Sequence, residues 1–349
     1  MNKSLFDDEN GWKHSPREAF SAFVKTEDYL LLGRRQIAKT NENENKKLRP
    51  ILDSSAEIYI HMFHRFMDFI DSQGVILHSV NHDHIKDFLE IPKPGKNTSR
   101  KAFNSSIRVR YLRLLERVFA HVGITPNPAK HAAFDIYQTK AQGRDLPKVI
   151  LTDDQQHLYM EHLPEVAPYD LTVDDGPEWK RRRDRAILAM LLGAGLKVSE
   201  LVGLNTDRVG ARDSTGSIPV EITPWSVNGT SRNHQTQLRP FAVADVMAWV
   251  EERNAKKIPG KLLFPANLDG KKLDKSTIYL LTKATYKKAG IEVKRKGPRT
   301  LRNSFAVREL ESPDGSIELT GELLGLRKRK STEKYLITNK LLNKKRLIT

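Results

Sequence analysis

Cysteine is absent from the 349-residue chain, which excludes a disulfide scaffold and any zinc or iron–sulfur centre held by thiolates. Only metal sites built from histidine and carboxylate stay open on composition. No run of about 18 apolar residues occurs, and the opening stretch MNKSLFDDENGWKHSPREAF lacks the apolar core of a secretory signal. The sequence therefore predicts a cytoplasmic protein with no membrane partner. Acidic residues are the other shortage: 43 Asp and Glu stand against 59 Lys and Arg, a net charge of +16. An excess of that sign fits a polyanionic partner, nucleic acid ahead of an anionic membrane surface. Neither aromatic stacking platforms nor a basic amphipathic helix dominates the chain, which disfavours a single-strand RNA binder or a membrane-surface protein. At roughly 150 residues per domain, the length predicts about two domains, each able to bury its own core.

Residues 1–48 are polar and end in NENENKK, so they read as an N-terminal arm with little to bury. From Ser54 the pattern becomes helical: Ser54 and Glu57 have capping-box spacing, Ile58, Met62, Phe66 and Phe69 recur at helical intervals, and Gly74 is a stop. Asn81 caps a shorter helix closed by Pro92 and Pro94. A third helix runs from about Asn104 to Gly123 with Ile107, Tyr111, Leu114, Val118 and Val122 inward. On it Arg110, Arg113 and Arg117 share a face beside the apolar stripe, as either a solvated cationic face or a set of phosphate contacts. These segments predict one helical domain over 49–135. A breaker-rich linker over 136–150 follows ITPNPAK, with the boundary between 130 and 147.

The second unit, 151–349, opens with Thr152 as an N-cap and carries a helix from about Lys180 that ends at Gly193 and Gly195. Val198–Leu204 reads as a short helix. SIPVEITPW and QLRPFAV read as two strands around a polar SVNGTSRNHQT loop, with helices predicted at 244–256, 276–289, 300–310, 316–324 and 331–338. The fold class expected is mainly α with a small antiparallel β-sheet.

Three segments of this unit stand out in order: LLGAGLKVSELVGL at 191–204, GPRTLRNSFAVREL at 297–310 and ELLGLRKRKSTEKYL at 322–336. The set resembles the tyrosine recombinase (phage integrase) family. Members carry GLRxSEL, then a β-hairpin with a lysine, then HxLRH-S/T-F-A, then LGH, with a nucleophilic tyrosine nine residues beyond that histidine. GLKVSEL, RTLRNSFA and LGL stand in those places, and Leu326 to Tyr335 spans nine residues. The resemblance implies a transesterification that needs neither a metal nor ATP: the tyrosine attacks a DNA phosphodiester and holds the 3′-phosphate covalently. Arginines would grip the charged oxygens, while lysine or histidine moves protons. It also implies double-stranded DNA as partner and a homo- or hetero-oligomer on paired sites. The segment NKLLNKKRLIT is a candidate for protomer contacts.

Carried over residue by residue, Tyr335 matches the nucleophile and Arg302 the second arginine. Lys197 stands where the first arginine belongs, keeping charge but losing the planar fork. Counting back from Arg239, which resembles the hairpin arginine, puts His234 near the lysine position. Arg299 replaces the box histidine, Leu326 the histidine of LGH, and Asn303 the histidine after the second arginine. Glu200 is expected to orient the basic residues. Lys294, Arg295 and Lys296, with Lys180–Arg183 and Arg327–Lys330, are expected to hold the DNA backbone. Tyr335 as a packed ring, Arg302 as an ion-pair partner of Glu200 or Glu309, and His234 as a solvated loop histidine are the structural alternatives. At the level of the whole chain, the alternative is a non-catalytic DNA-binding or architectural protein that kept the grip and lost the chemistry.

Overall fold

Apolar residues recur along most of the chain at helical spacing, and the computed structural model accordingly folds mainly into helices. It describes residues 9–38, 50–90, 103, 105–130, 132, 148–170, 176–224 and 232–346. The chain divides into two units, Met1–Arg144 and Asp145–Thr349. No described helix is long and apolar enough to cross a membrane.

In the first unit α1 (Glu9–His14), α2 (Pro16–Phe23) and α3 (Glu27–Ala38) precede α4 (Asp53–Ser72), α5 (His82–Glu90) and α6 (Ser105–Val122). The reading of 1–48 as an arm is corrected over the part described. Trp12, Phe20, Phe23, Val24 and Tyr29 are buried in the same core as Phe63, Phe66, Leu115 and Phe119. Trp12 meets the rings of Phe23, Phe63 and His121 edge-on. The apolar residues here are interrupted by many charges, but they include Trp12, Phe20, Phe23 and Tyr29, and each aromatic ring buries a large area. Trp12→Ala should therefore destabilise the protein by about 3–5 kcal/mol, read from denaturant unfolding, whereas a mobile arm would give no change. Residues 1–8 and 39–48 lie outside the described residues.

Helix α4 begins without a side-chain cap, after Leu52, so the Ser54–Glu57 capping box is not formed. Its inner face is Ala56, Phe63, Phe66, Met67 and Ile70, and Ile58 is exposed. Asn81 does cap α5: its side-chain oxygen accepts from the His84 N–H at 3.0 Å.

The second unit contains α7 (Asp153–Glu161), α8 (Glu178–Gly193), α9 (Val198–Leu201), β1 (Ile218–Ile222), β2 (His234–Leu238), α10 (Pro240–Ala255), α11 (Lys275–Lys288), α12 (Pro298–Glu311), α13 (Ile317–Leu323) and α14 (Arg329–Arg346). Thr152 forms a full capping box with Gln155 at the start of α7. The strands pair antiparallel, with Ile218 opposite Leu238 and Ile222 opposite His234. The second strand thus lies earlier than QLRPFAV: Pro240 occupies the first turn of α10, where its fixed φ is preorganised for a helix. Most apolar residues from α8, α10, α11 and the hairpin share one core, while Phe305, Leu323, Leu324 and Tyr335 form a separate cluster. That second cluster joins α12, α13 and α14. Lys148–Ile150, assigned to the linker from sequence, belong to this unit, with the Lys148 N–H donating to Thr338 Oγ1 at 2.8 Å. The rest of the predicted linker, 136–147, lies outside the described residues.

Candidate active site

The turn GAGLK feeds α9 through Gly195, whose φ of +63° only glycine adopts cheaply and whose Cβ, if present, would lie 2.4 Å from the Phe305 ring. This close approach brings the turn onto α12. Arg302 closes the contact: Nη1 donates to the Gly195 carbonyl at 2.6 Å, and Nη2 donates to the Leu324 carbonyl at 2.7 Å. One guanidinium thereby ties all three motif segments together.

Glu200 sits beneath, its side chain 2% exposed, with Oε2 at 3.3 Å from Arg302 Nη1 and Oε1 at 2.8 Å from Lys197 Nζ. The Lys197 N–H also donates to Glu200 Oε2 at 2.8 Å. Burial alone would raise the Glu200 carboxyl, but the charges of Arg302 and Lys197, with the Lys197 hydrogen bonds, hold it below its ordinary value. Its contribution to stability is present above the unfolded value near 4.5 and is lost as pH falls through the lower folded one. Glu200 therefore contacts both cations at once. Of Arg302's five N–H groups, Nε–H and one on Nη2 stay untaken among the described residues, so a forked pair of donors remains for an oxyanion.

Lys197, Arg299, Arg302, Leu326, Tyr279 and Tyr335 line one cavity of about 320 Å³. Five of these six were read from sequence, spread from position 197 to position 335. Tyr335 is 8% exposed, its ring packed in the cluster with Phe305 and Leu324 while it also borders the cavity. Tyr279, on the exposed face of α11, was missed. Nothing in its local pattern separates it from any surface tyrosine, because only the folding of α11 against the start of α12 brings it here.

His234 opens β2 and lies against Gly325 of the LGL turn, where a Cβ would fall 2.4 Å from its Nδ1. Gly325 has φ of +60°, so both its conformation and its closeness to the ring require glycine. Nδ1 is 3.0 Å from the Arg232 carbonyl, which can only accept, so the proton is assigned to Nδ1 and Nε2 carries the lone pair. Nε2 is buried and has no hydrogen-bond partner among the described residues. Burial lowers the imidazole pKa; the Arg232 bond and the Glu200 charge oppose that, while Arg302 and Lys197 add to it, and the net shift is downward. The ring is thus neutral at pH 7 and presents a proton acceptor.

The basic residues read as DNA contacts separate into two groups. Arg239 is held in a bidentate ion pair with buried Glu309, away from the cavity, and so supports the fold rather than offering its fork to phosphate. Arg182 and Arg183 are buried too, Arg182 on Glu252 at 2.6 Å and 2.8 Å, Arg183 on the Pro265 carbonyl at 2.7 Å. In the other group Lys294 and Arg295 are exposed, as are Arg327–Lys330, although Lys296 pairs with Glu292 and Arg329 with Glu318. In the first unit Arg110, Arg113 and Arg117 line a cavity of about 230 Å³ with Tyr29 and Tyr59, Arg117 lying 4.7 Å above the Tyr29 ring. Reversing the charge of Arg110 and Arg113 should weaken binding of any duplex and flatten its salt dependence by about 0.9 in log–log slope per lost phosphate contact. Unchanged titrations would identify a solvated face.

The second unit thus gathers two phenols, Tyr279 and Tyr335, and three cations, Lys197, Arg299 and Arg302, around one cavity, a set whose chemistry suits a phosphate ester. The second unit matches the tyrosine recombinase (phage integrase) family. Residues 172–341 match the phage integrase family model. The chain is similar to the tyrosine recombinase XerC of Yersinia pestis, 29% identical over 69% of this chain and 70% of the relative. It is likewise similar to XerC of Escherichia coli O127:H6, 30% identical over 60% of each. Among solved structures, the XerH site-specific recombinase bound to a palindromic difH substrate in a post-cleavage complex has the same fold, with TM-score 0.60 at 15% identity over 95% of this chain and 94% of that one. A lambda integrase dimer bound to a COC′ core site gives TM-score 0.54 at 13% identity, covering 93% and 81%.

Proposed function

We propose that this protein is a site-specific tyrosine recombinase that cleaves and rejoins double-stranded DNA through a 3′-phosphotyrosyl intermediate, acting as an oligomer on paired sites. Tyr335 Oη attacks the scissile phosphorus, the bond to the 5′-oxygen breaks, and that oxygen leaves with a proton. Return attack by a 5′-hydroxyl then restores the phosphodiester and frees the tyrosine. The observation that carries the reading is the convergence of Tyr335, Arg302, Arg299 and Lys197 on one cavity. The untaken donors of Arg302 suit the nonbridging oxygens, where charge accumulates. Lys197 adds a point charge and an exchangeable proton, and the neutral His234 ring can accept one. Arg299 contributes charge only, since a guanidinium does not exchange protons near pH 7.

The test is covalent capture. Nicked duplexes randomised over about two helical turns let the cleaved fragment diffuse away, so the protein should be recovered as a denaturation-resistant adduct on a subset of sequences. The second reading, a DNA-binding partner that lost the chemistry, is favoured by Leu326, an apolar side chain that lines the cavity and cannot move a proton. That reading predicts duplex binding with no adduct.

A further inference from the structure

The segment Lys148–Leu151 is stitched to both helices that carry the site. The Lys148 N–H donates to Thr338 Oγ1 on α14 at 2.8 Å, and that hydroxyl donates to the Lys334 carbonyl at 3.2 Å. Asn303 Nδ2 on α12 donates to the Val149 carbonyl at 3.0 Å, and the Leu151 N–H donates to Ser304 Oγ at 2.8 Å. Ile150 packs against the cluster containing Tyr335. These bonds place Lys148 between the two helices, one turn from Lys334 on α14 and about one turn from Arg299 on α12. Arg295 closes the group, its carbonyl accepting from Thr300 Oγ1 at 2.7 Å at the start of α12.

Four cations from three parts of the chain thus meet beside the nucleophile position. Lys148 is half-buried, while Arg295, Arg299 and Lys334 are exposed. None forms an ion pair among the described residues. Burial, followed by the charges of Arg299, Lys334 and Arg295, pulls the Lys148 ammonium below the usual lysine range, in keeping with the closeness of the four cations. Ordinary surface lysines and arginines disperse or pair with carboxylates; a converging set left without a counter-charge is relieved only by an anion.

We infer that Lys148, Arg295, Arg299 and Lys334 form a second phosphate site, which holds the backbone phosphate next to the scissile one and in which Lys148 is a substrate-positioning residue. The inference rests on the proposed function, since it takes the Tyr335 cavity as the seat of the scissile phosphate. By fixing the neighbouring phosphate from α12 and α14 at once, the group sets the strand's register against Tyr335.

Full-length protein is titrated with a labelled 40-bp mixed-sequence duplex between roughly 50 and 300 mM salt. Lys148→Met, which keeps the aliphatic stem, should lower the magnitude of the log–log salt slope by about 0.9, one phosphate contact, while Lys148→Arg should retain the wild-type slope. Without DNA the thermal midpoint of Lys148→Met should hold or rise, because repulsion is relieved. An unchanged slope in Lys148→Met, or an equal loss of slope in Lys148→Arg, overturns the second phosphate site while leaving the recombinase reading intact. A fall in midpoint with an unchanged slope assigns Lys148 to packing and also overturns it. Failure of the wild-type protein to bind the duplex at the lowest salt overturns the functional reading itself.

Discussion

Tyr335→Phe is expected to abolish the covalent protein–DNA adduct on nicked substrates while leaving duplex affinity within about twofold of wild type. The substitution removes one oxygen and keeps the ring, which packs with Phe305, Leu324 and Leu326 and so helps hold α14 on α12. A phenylalanine preserves that packing, so the thermal midpoint should hardly move. The loss of adduct should be complete and not partial, because no other group can substitute for a nucleophile that forms the covalent bond. Tyr279 is the only other phenol lining the same cavity among the described residues, and it makes the control informative. Tyr279→Phe should leave an adduct. An adduct that survives Tyr335→Phe and disappears in Tyr279→Phe would move the nucleophile to α11.

Much of this site was legible because its chemistry is written in short segments with fixed internal spacing. Lys197 and Glu200 are three apart at the start of α9, Arg299 and Arg302 share a face of α12, and Leu326 and Tyr335 are joined by one turn and the start of one helix. What the sequence could not supply was the identity of groups that arrive from elsewhere. Lys148 looks like a linker lysine until its backbone is seen bonded to Thr338, and Tyr279 looks like any surface tyrosine. Charge runs misled for the related reason that a run does not say which way each side chain faces. Within Lys180–Arg183 two of the four side chains turn inward, Arg182 to Glu252 and Arg183 to the Pro265 carbonyl, where each is paired as burial demands.

The fold shows the same division. Long periodic segments such as α6 and α8 are unambiguous from their apolar spacing, whereas HQTQL has little β-propensity of its own. Its strand is imposed by pairing with Ile218–Ile222 and by the burial of Thr236 and Leu238. The aromatic residues of α2 and α3 were hidden by their charged neighbours, although Phe20, Phe23 and Tyr29 supply much of the first unit's core. In that core a handful of rings outweighs a majority of polar positions.

Lys197→Arg combined with Leu326→His is expected to raise the rate of adduct formation on the order of 10²-fold. Each change addresses a different deficit. At position 197 the ammonium offers one point of attachment and is already engaged by Glu200 Oε1 at 2.8 Å, whereas a guanidinium can keep that bond and still present a planar pair of donors to the phosphate. At position 326 the backbone is fixed, its N–H donating to the Gly321 carbonyl at 2.8 Å, and the side chain already borders the cavity with Tyr335. An imidazole there would arrive beside the phenol without rearrangement and could exchange a proton near pH 7, which leucine cannot. A positioned acid–base group contributes about 10²–10⁴ in rate, and because the two changes serve one transition state, their effects need not multiply. Single-turnover adduct formation on the same nicked duplex, followed from pH 5.5 to 8.5, is the measurement. A gain that appears only above the imidazole pKa would assign the new histidine as the acceptor of the tyrosine proton, and a gain confined to lower pH would assign it as the donor to the leaving 5′-oxygen. Rapid adduct formation by the unaltered protein, with no further gain in the double variant, would mean that His234 and Lys197 already complete the proton and charge transfers from their observed positions against Gly325 and Glu200.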